Sequence, residues 1–303
     1  MMKVLLTGAS GRLGSVVCRH LVENGVDVRA VDLFRRKDMP VHVTVANLLD
    51  RERCYELVDG VDTLVHLAAH PNEGVRDPQT LYSENVTMSV NLFQACQESG
   101  VNRIIYASSI QAVTPYSDPH DANHCGHPYL PLDGEVPANP GNIYGLSKQA
   151  CEEMLRFYSK RFGMTCVAIR FPYLANPDWA RHMAAHMRHW GKHNLNINEC
   201  FAYLTQQDAA RLIKAVLESR VEGFRIYMPA AQNTRLNQPV REIIAEYYPG
   251  IRLKKPVEEL TGLVDISQIT NETGWTPVDV LFRETESAGV NPTPITTAEK
   301  VGV

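Results

Sequence analysis

The 303-residue sequence has no CxxC pair, no apolar run long enough to span a bilayer, no internal repeat and no excess of positive charge. Each absence removes a class of function. Seven cysteines, at 18, 54, 96, 125, 151, 166 and 200, are an odd and unpaired set, which points to reduced thiols and a cytoplasmic setting rather than a disulfide scaffold. Without a span of about 20 apolar residues, no membrane partner is expected. With 30 Lys and Arg against 34 Asp and Glu, the formal charge of -4 gives no basic footprint, so nucleic acid is not an expected partner. The opening Met1-Met2-Lys3 and a short VLL run into a glycine turn too soon for a signal peptide.

What is present is alternation. Strands are expected at 3–6, 28–31, 62–69, 103–108 and 165–170, and helices at 14–24, 51–58, 82–99 and from Tyr144 to about 161. Strand and helix in turn imply an α/β fold, a doubly wound parallel sheet with helices on both faces. Beyond Arg170 the rhythm loosens. A helix at 208–220 and a strand at 224–230 precede mixed segments over 232–290, and the aperiodic tail 291–303 is expected to be disordered.

The stretch KVLLTGASGRLGSVVCRHL carries the strongest local signal. A strand runs into Gly8, Gly11 and Gly14, and an apolar-periodic helix follows. Glycines allow a tight turn and close approach to a pyrophosphate, while a helix N-terminus offers free N–H groups. Ser10, Arg12 and Leu13 complete this candidate cofactor loop. Asp32 ends the next strand, eighteen residues past Gly14, where a carboxylate accepts hydrogen bonds from a ribose 2′-hydroxyl and repels a 2′-phosphate. NAD is therefore expected over NADP, although Arg35 and Arg36 follow closely. Asn47 and Leu48 are candidates for the adenine edge, and Leu67, Ala68 and Ala69 for the cofactor's flank.

In YGLSKQACEEM, Tyr144 and Lys148 stand one helical turn apart on one face. A phenol with its ordinary pKa of about 10 is a poor base at neutral pH, and a neighbouring ammonium would stabilise the phenolate. Taken alone, that spacing also suits a solvated helix face. Ser109 ends the strand RIIYAS, at the carboxyl edge where ligands sit in such sheets; its bland alternative is a helix-capping turn serine.

TGASGRLG, Asp32, HLAA, ENVTMSVNLFQAC, YASSIQAV, YGLSK, AYLTQQDAARLI and DISQITNETGWTP together resemble the extended short-chain dehydrogenase/reductase family, in its NAD-dependent epimerase/dehydratase branch, over about residues 2–285. The resemblance implies a Rossmann sheet with a small C-terminal α/β substrate domain. Residues 1–173, with about 204–231, would form the NAD-binding part, and 174–203 with 232–290 the substrate part. It implies Tyr144 as catalytic base at the cofactor, Lys148 as the lysine that contacts the cofactor's ribose and depresses the tyrosine's pKa, Ser109 as hydrogen-bond donor to the reacting oxygen, Asn85 on the helix facing the site, and a homodimer packed through the helix of Tyr144.

In pattern the chain resembles uronate dehydrogenase-like members. Arg181, eleven residues past Arg170, falls where that group holds a substrate carboxylate, and Gln111 and Tyr173 are further candidate substrate contacts. Its Asn-His after the serine is Ile110-Gln111 here. The expected activity is hydride transfer from a free sugar or sugar acid to NAD. Alternatives are a nucleotide-sugar epimerase using transient oxidation, or a silent cofactor-binding protein. The stretch 114–142 is about ten residues longer than the family pattern and is expected to shape or lid the pocket. Its His120, His124, Cys125 and His127, and the later His182, His186, His189 and His193, suggest metal only by composition, and no metal is expected.

Overall fold

Seven parallel strands make the central sheet. The structure, a computed structural model, describes residues 2–116, 125–176, 197–236 and 238–281. Strands β1 (Lys3–Thr7), β2 (Asp27–Asp32), β3 (Val43–Val45), β4 (Thr63–His66), β5 (Arg103–Ser109), β6 (Thr165–Phe171) and β9 (Phe224–Tyr227) lie in the order β3-β2-β1-β4-β5-β6-β9. Every neighbouring pair is parallel. Two short strands, β7 (Tyr173–Ala175) and β8 (Tyr203–Thr205), pair beside it. The order reverses between β1 and β4, and the crevice beyond their carboxyl ends is where ligands bind in such sheets. The expected α/β Rossmann arrangement is the one observed.

The alternation of the strands sorts the core into two layers. On β1, Val4 and Leu6 face α1 (Arg12–Glu23) and α5 (Gln206–Glu218), whereas Leu5 faces the other way. That second layer joins α2 (Arg51–Val58), α3 (Pro78–Glu98) and α4 (Ile143–Phe162) through Leu57, Leu92, Phe93 and Leu155. Each buried side chain of this size contributes about 1.5–3 kcal/mol relative to exposure. A third apolar cluster, including Ile110, Leu130, Phe201, Met228 and Tyr248, gathers beyond the ends of β5 and β9 with α6 (Val240–Tyr247).

Helix starts follow local chemistry. The side chain of Asp50 accepts from the Arg53 N–H, that of Asp77 from Thr80, that of Asn142 from Gly145 and that of Thr205 from Asp208. α3 begins at Pro78, four residues before the expected start, because Asp77 caps it and Pro78 occupies the first turn. The strand expected over 62–69 ends at His66, since the chain must leave the sheet at the switch point.

The extended stretch between Ser109 and Tyr144 returns by pairing with the C-terminal region. Leu130 donates to the Arg252 carbonyl at 2.9 Å and Leu132 to the Leu263 carbonyl at 2.9 Å. The described residues 125–140 do not line either cavity, and residues 117–124 of this stretch lie outside the described residues. His120, His124 and the four histidines of 182–193 lie outside the described residues, as does the 291–303 tail. His127 is buried and its Nε2 meets the Asn198 carbonyl at 2.6 Å.

Candidate active site

The glycine turn is built as its spacing suggests. Gly8 has φ +70, and a Cβ there would come within 2.6 Å of the Ala68 nitrogen. At Gly14 a Cβ would stand 1.9 Å from the Gly8 carbonyl oxygen. Only glycine lets the first turn of α1 pack this closely on the strand end. Asp32 accepts from the Ser10 N–H at 2.8 Å and the Leu33 N–H at 2.7 Å, and the Ser10 hydroxyl donates to the Phe34 carbonyl. Ser10 therefore braces the loop and does not line the crevice.

Two adjoining cavities follow the sheet edge and share Gly8, Gly11, Leu67 and Ala69. The first, about 400 Å³, is lined by Asp32, Asn47, Leu48 and Ala68, the residues expected around a nucleoside. The second, about 570 Å³, brings Arg12, Leu13 and Gly14 together with Ser109, Gln111, Tyr144, Lys148 and Tyr173. A double cavity of this kind has the elongation that a dinucleotide needs. Arg36 is engaged with Asp38 and, at 3.0 Å, with the Ser15 hydroxyl, so it does not reach toward a 2′-phosphate.

Tyr144, Lys148 and Glu152 form a buried ladder along one face of α4. Lys148 donates to the Ala107 carbonyl at 2.8 Å, with its Nζ 4.7 Å from the Tyr106 ring centre and 5.6 Å from that of Tyr144. Burial lowers Lys148 to about 8. Burial pushes the Tyr144 phenol up to about 12, a hydrogen bond from Ser109 acts against this, and the Glu199 carboxylate adds to it. Desolvation sets the direction of that shift. Glu152 accepts from Ser108 at 2.6 Å and from Arg170 at 2.9 and 2.8 Å, a buried bidentate pair that locks β5, β6 and α4 beneath the site.

Asn85 does not reach either cavity. Its side chain accepts from the His70 N–H at 2.8 Å and donates to Ser147 at 3.2 Å, bracing α3 against α4. Arg181 lies outside the described residues. Gln111 faces the second cavity with a fixed amide: its oxygen accepts from Asn142 at 2.9 Å, and its nitrogen donates to Glu199 at 3.3 Å.

Glu199 and Arg235 were not anticipated. Glu199 lines the second cavity, and an Arg235 nitrogen stands 3.6 Å from its carboxylate. The next two residues, Cys200 and Phe201, have φ of 54 and 48. Left-handed backbone costs a non-glycine residue about 1–2 kcal/mol. The Arg235 N–H donating to the Phe201 carbonyl at 2.9 Å helps hold that bend. Nothing periodic in the sequence marks this corner, though Glu199 is a lone acid in a largely uncharged run.

Known proteins resemble this chain in the same terms. It is 30% identical over 171 residues to a uronate dehydrogenase of Pseudomonas syringae pv. tomato, across 55% of this chain and 58% of that protein. A UDP-glucose 4-epimerase of Corynebacterium glutamicum is 27% identical over 178 residues, across 56% of this chain and 50% of that protein. The chain thus spans about half the length of the curated relatives it matches. The solved structure of uronate dehydrogenase from Agrobacterium tumefaciens complexed with NAD shares the fold, with TM-score 0.64 and 23% identity over 92% of this chain and 85% of that one. A family model matches residues 4–227, from the first strand to the last strand of the sheet, and by that match the chain belongs to the NAD dependent epimerase/dehydratase family.

Proposed function

We propose that the protein is an NAD-dependent dehydrogenase that oxidises a free carbohydrate, with Tyr144 as base, Ser109 as hydrogen-bond donor to the reacting oxygen and Lys148 as electrostatic partner. The observation that carries this reading is the meeting of Ser109, Tyr144 and Lys148 in one cavity contiguous with the glycine turn and Asp32. Gly8, Gly11, Arg12, Leu13 and Gly14 would hold the cofactor's phosphates, Asp32 its adenosine ribose, and Asn47 with Leu48 its base. The chemistry NAD supplies when bound is acceptance of a hydride. Ser109 would hold the substrate hydroxyl oxygen in place while Tyr144 Oη takes the hydroxyl proton as hydride leaves the same carbon.

In this reading residues 1–173 with about 204–231 serve the cofactor, and 174–203 with 232–290 serve the substrate. A soluble cytoplasmic homodimer packed through α3 and α4 accords with exposed Val90, Leu146 and Phe157 on those helices. Among the described residues no helix is long and apolar enough to cross a membrane.

The test is net NADH formation from NAD across aldoses, polyols and hexuronates. Likeness to a UDP-glucose 4-epimerase keeps a second reading, transient oxidation of a nucleotide sugar. That reading predicts interconversion of sugar epimers with no net NADH. Absence of both signals refutes both.

A further inference from the structure

Gln111, Glu199 and Tyr173 line the second cavity and not the first. Glu199 is nearly buried, at 12% side-chain exposure, yet its acceptor capacity is far from filled. One oxygen takes a long hydrogen bond of 3.3 Å from Gln111, and the other faces Arg235 at 3.6 Å, beyond good hydrogen-bond range. A carboxylate offers about four lone-pair sites, so several stay open. Arg235 Nε and one terminal nitrogen are buried without a hydrogen-bond partner, while its guanidinium lies 5.2 Å from the centre of the Tyr173 ring. Arg235 thus supplies charge balance from behind Glu199 and leaves the carboxylate facing the cavity. The left-handed backbone at Cys200 and Phe201 is a further sign that the placement is imposed. Glu199 stands close enough to Tyr144 to push the phenol's pKa up.

We propose that Glu199 accepts a hydrogen bond from a substrate hydroxyl next to the reacting carbon, and that it selects an uncharged polyhydroxy compound over a sugar acid. The inference rests on the carbohydrate reading above and narrows it. A hydroxyl gives the open lone pairs of Glu199 the donor they lack, and the bond to a charged acceptor is among the stronger kinds. A carboxylate in the same place meets a like charge where water is scarce. Gln111, fixed by Asn142, orients the carboxylate.

The test is binding to the enzyme–NADH complex by saturation-transfer NMR and calorimetry, with D-galactose against D-galacturonate and D-glucose against D-glucuronate. Neutral sugars are expected to bind about tenfold or more tightly than their acids. Glu199→Gln should weaken the neutral sugars and largely erase the discrimination. Glu199→Asp, which keeps the charge but retracts it, should weaken the neutral sugars, ease the repulsion of the acids and so reduce the preference. NADH fluorescence confirms that each variant is folded; if Glu199→Gln fails to bind NADH, Glu199→Asp carries the test. A role confined to balancing Arg235 would lower stability and leave the ratio unchanged, overturning the proposal. A wild-type preference for the acids overturns it as well, while the carbohydrate reading stands. No binding of either class removes that reading and the proposal together.

Discussion

Lys148→Met is expected to displace the ascending limb of the pH–rate profile to higher pH, by an amount that follows from burial. Tyr144 is pushed up to about 12 and Lys148 lowered to about 8 by the same desolvation. Burial thus raises the phenol and lowers the ammonium, and both shifts disfavour ammonium with phenolate relative to amine with phenol. Proton abstraction needs the disfavoured arrangement. Positive charge beside the phenol is what recovers it, and Lys148, one turn along α4 with its Nζ 5.6 Å from the Tyr144 ring centre, supplies it. Its removal should cut kcat/KM at neutral pH by about 10²–10⁴-fold. In the variant, the climb of about tenfold per pH unit should lie at higher pH than in the wild type. The assay is initial NADH formation at saturating NAD from about pH 6 to about pH 10, with NADH binding as a check on folding. Two profiles that superimpose after scaling, or full turnover in Tyr144→Phe, would refute the reasoning.

Three further perturbations follow from contacts already described. Glu152→Ala leaves Arg170 charged in a space where it is only 3% exposed, and should cost about 3–5 kcal/mol in urea unfolding; the double change to Glu152→Met with Arg170→Met should restore most of it. Asp32→Ser should weaken NAD about 10- to 100-fold by loss of a charged acceptor and narrow the NAD-to-NADP ratio of kcat/KM; an unchanged ratio would show that Asp32 does not read the ribose. His66 is held near 3 by burial first and by Lys148 second, so the unfolded chain takes up its proton before the folded one does. Its contribution to stability is present above about pH 6.5 and lost as pH falls toward about 3, at up to about 1.4 kcal/mol per unit, a slope that His66→Gln should remove.

How much of this was legible in the sequence depended on how local each signal is. Gly8, Gly11 and Gly14 sit between a strand and a helix within a dozen residues, so the turn could be read from spacing. Tyr144 and Lys148 share a face by helical geometry, and Glu152 continues that face one turn further on, a buried step the same periodicity could have revealed. Strands β3, β7 and β8 are three residues each, too short for alternation to show. Glu199 and Arg235 are brought together only by tertiary packing, through a backbone bend whose φ values side-chain patterns do not announce. Desolvation of Tyr144 was hidden for a related reason: an ammonium nearby in sequence is visible, whereas burial by the whole fold is not.

The order β3-β2-β1-β4-β5 draws only on residues 3–109, whereas β9 must wait for residue 224 before it can join β6. During synthesis, chains grow from the N-terminus at about 5–20 residues per second. The dinucleotide crevice between β1 and β4 can therefore assemble on the ribosome while Tyr144 and Lys148 are still untranslated. Until β6 arrives, the nascent half-sheet carries β5 as a bare edge with unsatisfied N–H and C=O groups, and that interval is when it is most open to pairing with a second chain.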